Sequence, residues 1–327
     1  MKSVRMSRNW RRVTAAALAC VATVGLAACG SSADEPSSSG AATTITHALG
    51  ETTIPDVPQR VVALGNQWLD AAQALGVTPV GYLDNIAALT KSRPAWEPAS
   101  LAESKELTSE GLIEQVAALE PDLILADGFV YLSDRKIYDN LSQLAPTLPA
   151  LGKEVVTPWR DQVTALGKVL HKQDKATEII AGVDNRIQAL AQQYPGLKGK
   201  TFASTWLYSA AQLMVLNDPK DGSAEIFTQL GMSIPQNLVS LPNTGGRVAL
   251  SPERTTELQA DLLLAAASPG LDQMYRELPG YRELPAVRKE SVVSMSTQDI
   301  SAVNQPSALN VPYILDKIQP ALANAAK

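Results

Sequence analysis

The chain has 327 residues, enough for two domains of ordinary size. Hydrophobic residues make up 45% and charged residues 19%, which points to packed cores rather than disorder. The formal net charge of −5 excludes the broad basic surface that a nucleic-acid-binding protein needs.

The chain opens basic, with Lys2, Arg5, Arg8, Arg11 and Arg12, and turns apolar from Val13 to Ala28. A basic start, an apolar middle and small residues before a cut point form the layout of an export signal. The run is short and Ala-rich for a membrane-spanning helix. Its last four residues, Leu26-Ala27-Ala28-Cys29, resemble the lipobox of bacterial lipoproteins. That resemblance implies a signal over 1–28 and a mature chain starting at Cys29, whose thiol takes the lipid. Arg11-Arg12 leaves open whether the general or the twin-arginine export route is used. With Cys20 removed, Cys29 is the last cysteine. Internal disulfides, zinc ribbons, iron–sulfur clusters and catalytic thiols are thereby excluded from the mature chain. The two histidines, His47 and His171, are far apart in sequence and form no cluster of metal ligands.

Residues 29–43 are rich in Ser, Ala and Gly and read as a flexible tether, with order beginning near Ile45. Arg60–Leu64 reads as a buried strand, Trp68–Leu75 as a helix stopped by Gly76, and Pro79–Tyr82 as the next strand. A second helix is predicted over Leu112–Leu119 and a third strand over Leu123–Ala126. From Asp174 to Gln193, apolar residues at 176, 179, 180, 183, 187, 190 and 191 follow helical spacing. Such a helix would span roughly 30 Å. Alternation then resumes, with a strand at Thr201–Thr205, a helix at Ala224–Leu230 and a helix capped by Ser251-Pro252-Glu253. Strands follow at Leu262–Ala265 and Val292–Met295, and Ile314–Ala325 closes the chain as a helix. Strands alternating with helices argue for parallel βαβ units. The stretches 112–126 and 255–265 share one grammar, an acidic residue followed by an apolar strand. Two copies on either side of a long helix suggest two similar lobes.

Several segments together carry a family likeness: Pro58-Gln59-Arg60-Val61-Val62-Ala63-Leu64, Ala74-Leu75-Gly76-Val77-Thr78-Pro79-Val80-Gly81, Ala118-Leu119-Glu120-Pro121-Asp122-Leu123-Ile124, Ala145-Pro146-Thr147 and Leu284-Pro285-Ala286-Val287. In this order and spacing the chain resembles the substrate-binding lipoproteins of iron–siderophore ABC importers. The resemblance runs from about Ile45 to Leu322 and implies an α/β fold with two Rossmann-like lobes joined by a single long rigid helix. It places an N-terminal lobe at 44–172, the helix at 173–195 and a C-terminal lobe at 196–327, with the ligand cleft between the lobes. It further implies a monomer without enzymatic activity or intrinsic cofactor, held on the outer face of the cell membrane by lipid. The ligand would be an Fe(III)–siderophore complex and the partner the importer's permease subunits, with no nucleic acid. Haem or cobalamin as ligand, or a cell-envelope scaffold, are the alternatives.

Large rings fall near the predicted strand ends, as a cleft stacking a flat ligand requires. Trp68, Tyr82, Trp96, Tyr131, Trp206 and Tyr208 are the candidates, and Trp159, Tyr275 and Tyr281 are assigned to structure or surface. Arg247, after the turn Thr244-Gly245-Gly246, has the planar permanent charge suited to acidic ligand oxygens. Arg93 and Arg160 are weaker candidates of that kind. Lone arginine candidates slightly favour a hydroxamate or mixed siderophore over a catecholate. The resemblance also implies one acidic residue per lobe that docks to the permease. Asp134 and Asp272 hold those places where the family usually has Glu, and both also suit helix N-caps. Gly199-Lys200-Thr201 fails as a phosphate loop because Tyr194 stands where Gly is required.

Overall fold

The computed structural model describes residues 42–152 and 156–327. The export segment 1–28, Cys29 and the tether up to residue 41 lie outside the described residues. The described part opens with an antiparallel hairpin of β1 (Thr43–His47) and β2 (Gly50–Ile54).

The first sheet contains β3 (Val61–Leu64), β4 (Gly81–Leu83), β5 (Lys105–Glu106), β6 (Leu123–Ala126) and β7 (Thr147–Leu148). Its spatial order is β5-β4-β3-β6-β7, and every pairing is parallel. All residues of β3 and β6 are buried, because helices cover both faces of a parallel sheet. That explains their unbroken apolar runs.

The second sheet contains β8 (Phe202–Ser209), β9 (Gln212–Leu216), β10 (Arg247–Leu250), β11 (Leu262–Ala267) and β12 (Val292–Met295), in the order β10-β9-β8-β11-β12. β8, β11 and β12 are parallel, whereas β9 runs antiparallel to both β8 and β10. The expected all-parallel second lobe is therefore corrected to a mixed one. Only Ala210 and Ala211 separate β8 from β9, far too few for a parallel crossover.

The two sheets share one plan. Each starts with its central strand, extends to one side, then crosses to the other. The acidic residues of the repeated grammar do the same work in both. Asp122 accepts hydrogen bonds from the backbone N–H groups of Gln59 and Arg60, just ahead of β3. Asp261 accepts from the N–H and hydroxyl of Thr201, just ahead of β8. In each lobe a carboxylate at the entry of one strand fixes the entry of its neighbour.

The long helix spans Gln173–Gln193 and buries Ala176, Val183, Ile187 and Leu190. It packs on helix Trp159–Val169 so closely that a Cβ on Gly167 would overlap Ala176. Arg160 ties three elements together: its guanidinium pairs with Asp184 on the long helix and with Glu225 on helix Glu225–Gln229 of the second lobe. It also stacks over the ring of the buried Trp159. Arg160 is thus a structural tie rather than a ligand contact, and Arg93 pairs with Glu97. One apolar cluster runs from Trp68 through Trp159 and Ile187 to Phe202, so the lobes share packing along this seam.

Two further expectations are corrected. The segment after Ser251 is a kinked 3-10 helix, Pro252–Glu257, and the Ser251 side chain makes no capping bond. Tyr275 is buried rather than exposed, with its hydroxyl against that of Thr205 at 2.5 Å.

Candidate ligand cleft

The carboxyl ends of both sheets open onto one cleft. Residues just past β4 (Asn85, Ile86, Leu89) and β6 (Phe129) face residues of β8, β9 and β10 and of helix Thr297–Asn304 across a cavity of about 560 Å³. A second hollow of about 740 Å³ adjoins it and shares Leu89, Trp206 and Tyr208. Ligands of open α/β sheets bind beyond these strand ends. The walls are mainly apolar, with Phe129, Met214, Leu216 and Ile300 beside the aromatic pair.

Ser204, Trp206 and Tyr208 project into the cavity from alternate positions of β8, as a strand's period of two requires. The Trp206 and Tyr208 rings meet edge to face, with centroids 5.4 Å apart. The Trp206 indole N–H donates to Ser268 Oγ at 3.2 Å, and that hydroxyl donates to Tyr208 O at 2.9 Å. Most large apolar side chains are buried, yet Leu89 is 53% exposed, Phe129 44% and Tyr208 55%. All three line this cleft, whereas Leu132 and Leu144, the other two exposed large apolar side chains among the described residues, lie outside it.

Residues 61–298 match the model of the family described as Periplasmic binding protein. The chain belongs to the periplasmic binding protein family. Bacillus subtilis YfiY, named "Probable siderophore-binding lipoprotein", is 32% identical over 225 residues, covering 66% of this chain and 66% of that relative. The Fe(3+)-citrate-binding protein YfmC of the same organism is 28% identical over 227 residues, covering 68% of this chain and 67% of the relative. The chain therefore spans only about two thirds of the length of these relatives. The crystal structure of a periplasmic solute binding protein from Mycobacterium smegmatis superposes with a TM-score of 0.72 at 27% identity, covering 88% of this chain and 99% of that one.

The periplasmic binding protein fold brings Trp206, Tyr208 and Arg247 together at the cleft and holds the other four candidates elsewhere. Trp68 is wholly buried, because it lies on the inner face of helix Asn66–Ala74. Tyr82 is buried within β4. Tyr131 is buried and its hydroxyl accepts the Ala150 N–H at 3.0 Å. Trp96 is half-buried in the seam between the lobes, where its ring lies 5.3 Å from that of Tyr313. These four are corrected from ligand contacts to packing residues. Phe129 was missed in favour of Tyr131, two residues later. Gly128–Tyr131 forms one helical turn, which sends Phe129 outward and Tyr131 inward.

Arg247 lines the cavity but is already engaged. One terminal nitrogen donates to Asp221 Oδ2 at 2.7 Å and to Gly245 O at 3.2 Å. The other donates to Ser223 Oγ at 2.7 Å and to Asn304 Oδ1 at 3.2 Å. Ser204 and Gln305 also border the cavity, and their Oγ and Oε1 atoms are shielded from solvent without a hydrogen-bond partner.

Behind the cleft the lobes are bonded through polar groups. Gln67 Nε2 donates to Thr157 O at 3.0 Å and to Pro306 O at 2.8 Å. Asp70 accepts from the Ser307 hydroxyl and from the Trp96 indole N–H. Burial pushes the Asp70 carboxyl up to about 8, with nearby Asp84 and Asp127 adding to the rise against these hydrogen bonds. Burial likewise pushes Asp127 up to about 7, against hydrogen bonds from Gln67, Trp68 and Gln162.

Asp134 and Asp272 are both exposed, in the segments after the equivalent strands β6 and β11. The Asp134 side chain accepts the Lys136 N–H at 2.9 Å as an N-cap. Asp272 stands in the first turn of its helix and makes no such cap.

Proposed function

We propose that this protein captures a ferric siderophore outside the cytoplasm and hands it to an ABC importer, without bond chemistry. The observation that carries this reading is the Trp206–Tyr208 pair, set beside exposed Leu89 and Phe129 in one apolar cleft. Its walls combine apolar area with a few convergent polar groups, the usual make-up of a small-molecule site. The names of the relatives YfiY and YfmC, which concern ferric ligands, support the same ligand class. In this reading Cys29 carries the lipid and the segment after it is a tether. Asp134 and Asp272, one per lobe, meet basic residues of the permease. No helix among the described residues is long and apolar enough to cross a membrane.

Trp206 makes the reading testable by fluorescence. The full-length protein in detergent micelles is titrated with ferric hydroxamate, catecholate and citrate complexes. Saturable quenching by at least one is expected, and a flat response to all of them rejects the function.

A further inference from the structure

The cleft also carries a statement about the charge of its ligand, which rests on the siderophore reading above. Among the described residues, Arg247 is the single charged side chain lining the main cavity, and Lys91 the single one lining the adjoining hollow. Arg247 is not a free cation. Asp221 is only 4% exposed and sits against it at 2.7 Å, so the two charges cancel at the cavity wall. The remaining bonds of Arg247 to Ser223, Asn304 and Gly245 occupy both of its terminal nitrogens. The guanidinium fork that would grip a carboxylate or catecholate is turned into the protein.

The other polar side chains of the wall, among them Asn85, Ser204, Thr244, Ser301 and Gln305, are all uncharged. Hydroxyl and amide groups offer hydrogen bonds to a ligand but no net charge to offset an anion. An anionic complex entering this cleft would lose its hydration and find no compensating charge beyond Lys91 at the rim. Burying an unpaired charge is costly, whereas a neutral complex escapes that cost.

We infer that the cleft selects a ferric complex of zero net charge over a polyanionic one, and that the Asp221–Arg247 pair sets this selectivity. A ferric tri-hydroxamate meets the requirement, because three singly charged hydroxamates cancel the iron. A ferric tris-catecholate does not, because three doubly charged catecholates leave an excess of negative charge. The selectivity sits in a buried pair rather than in a ligand-facing residue. Removing the carboxylate charge of Asp221 therefore turns Arg247 into an uncompensated cation at the same wall.

The test titrates the full-length protein with ferrichrome, a neutral tri-hydroxamate, and ferric enterobactin, a tris-catecholate, following tryptophan fluorescence. Ferrichrome is expected to bind about a hundredfold more tightly, a difference of about 2.7 kcal/mol. Asp221→Asn is expected to narrow the gap about tenfold, chiefly by strengthening enterobactin binding. Gln305→Lys adds a charge to the wall without touching the buried pair and is expected to narrow it too, which keeps the test open if the Asp221 variant folds poorly. Wild-type preference for ferric enterobactin overturns the inference and leaves the siderophore reading standing. An unchanged preference in both variants overturns the assignment of selectivity to wall charge. Binding of neither complex, with no response to ferric citrate, removes the siderophore reading and this inference with it.

Discussion

The hydroxyl of Ser307, in the second lobe, donates to the buried carboxyl of Asp70, in the first. Asp70 is wholly buried and held near 8, so at neutral pH it carries a proton for most of the time. Its bond with Ser307 is then one between neutral groups across the seam, and its bond with the Trp96 indole stays within the first lobe. The raised value has a definite consequence for stability. Between the unfolded value of 3.8 and about 8, the folded state binds the proton more tightly than the unfolded chain does. This contribution is fully present below the lower value and is lost as pH rises through the upper one. Urea unfolding should therefore give a midpoint that falls as pH rises towards 8 and levels off above it. Asp70→Asn, which cannot ionise, should flatten that fall, leaving the smaller slope that Asp127 contributes at about 7. An equal slope in wild type and variant would remove Asp70 as its source.

Trp68 and Trp206 should respond in opposite ways to the same substitution. Trp68 is wholly enclosed, so Trp68→Ala opens a cavity and should cost about 3–5 kcal/mol of stability. Trp206 faces the cleft and is only half-buried. Trp206→Ala should weaken ligand binding about tenfold or more while moving the unfolding midpoint far less. Paired denaturation and ligand titration check both halves. A large loss of stability with unaltered affinity in Trp206→Ala would contradict the placement of this ring.

Arg160 joins helix Trp159–Val169, the long helix and the second lobe through Asp184, Glu225 and Gln229. Arg160→Ala strands the half-buried Glu225, whose carboxyl is raised by burial and is held down chiefly by the Arg160 charge. A loss of about 1–3 kcal/mol is expected. The double variant Arg160→Ala with Glu225→Gln should recover part of it, because no carboxylate is then left unpaired. Independent, additive losses in a double-mutant cycle would show that the two residues are not coupled.

Much of the scaffold was legible because its signals are local. β6 and β12 fall where their apolar runs end, and the long helix begins one residue before its predicted start. The shared grammar around Asp122 and Asp261 also reflects a shared position, since each fixes its neighbour strand. β9 was missed because Ala210-Ala211 lacks the Gly or Asn that usually announces a tight turn. The site was harder to read than the fold. Trp68 and Trp206 both stand close to a strand's carboxyl end, but one is turned into the core by its helix and the other into the cleft by alternation along β8. Arg247 was found, yet its neutralisation was not visible, because Asp221 lies 26 residues away and meets it only through folding.

Gly65 makes the connection between β3 and the cleft dependent on a single hydrogen atom. Its φ of 109° with ψ of 155° is a conformation that side-chain-bearing residues rarely adopt. Its N–H donates to Leu83 O at 2.9 Å and its carbonyl accepts the Leu69 N–H at 3.1 Å, so the peptide is held from both sides. A Cβ here would overlap the carboxyl of Asp127, which accepts the Gln67 N–H at 3.0 Å. Gly65→Ala should therefore combine backbone strain with displacement of Asp127 and cost about 2–4 kcal/mol. Gly50 separates the two effects. Its φ is 128°, but no atom lies within 4 Å of where a Cβ would stand. Gly50→Ala should show the strain alone, about 1–2 kcal/mol. Because Gln67 also bonds to Pro306, moving Asp127 should loosen the seam as well, giving faster hydrogen exchange at Gln67 in Gly65→Ala than in Gly50→Ala. Equal losses and equal exchange in the two variants would mean that the Asp127 contact contributes nothing.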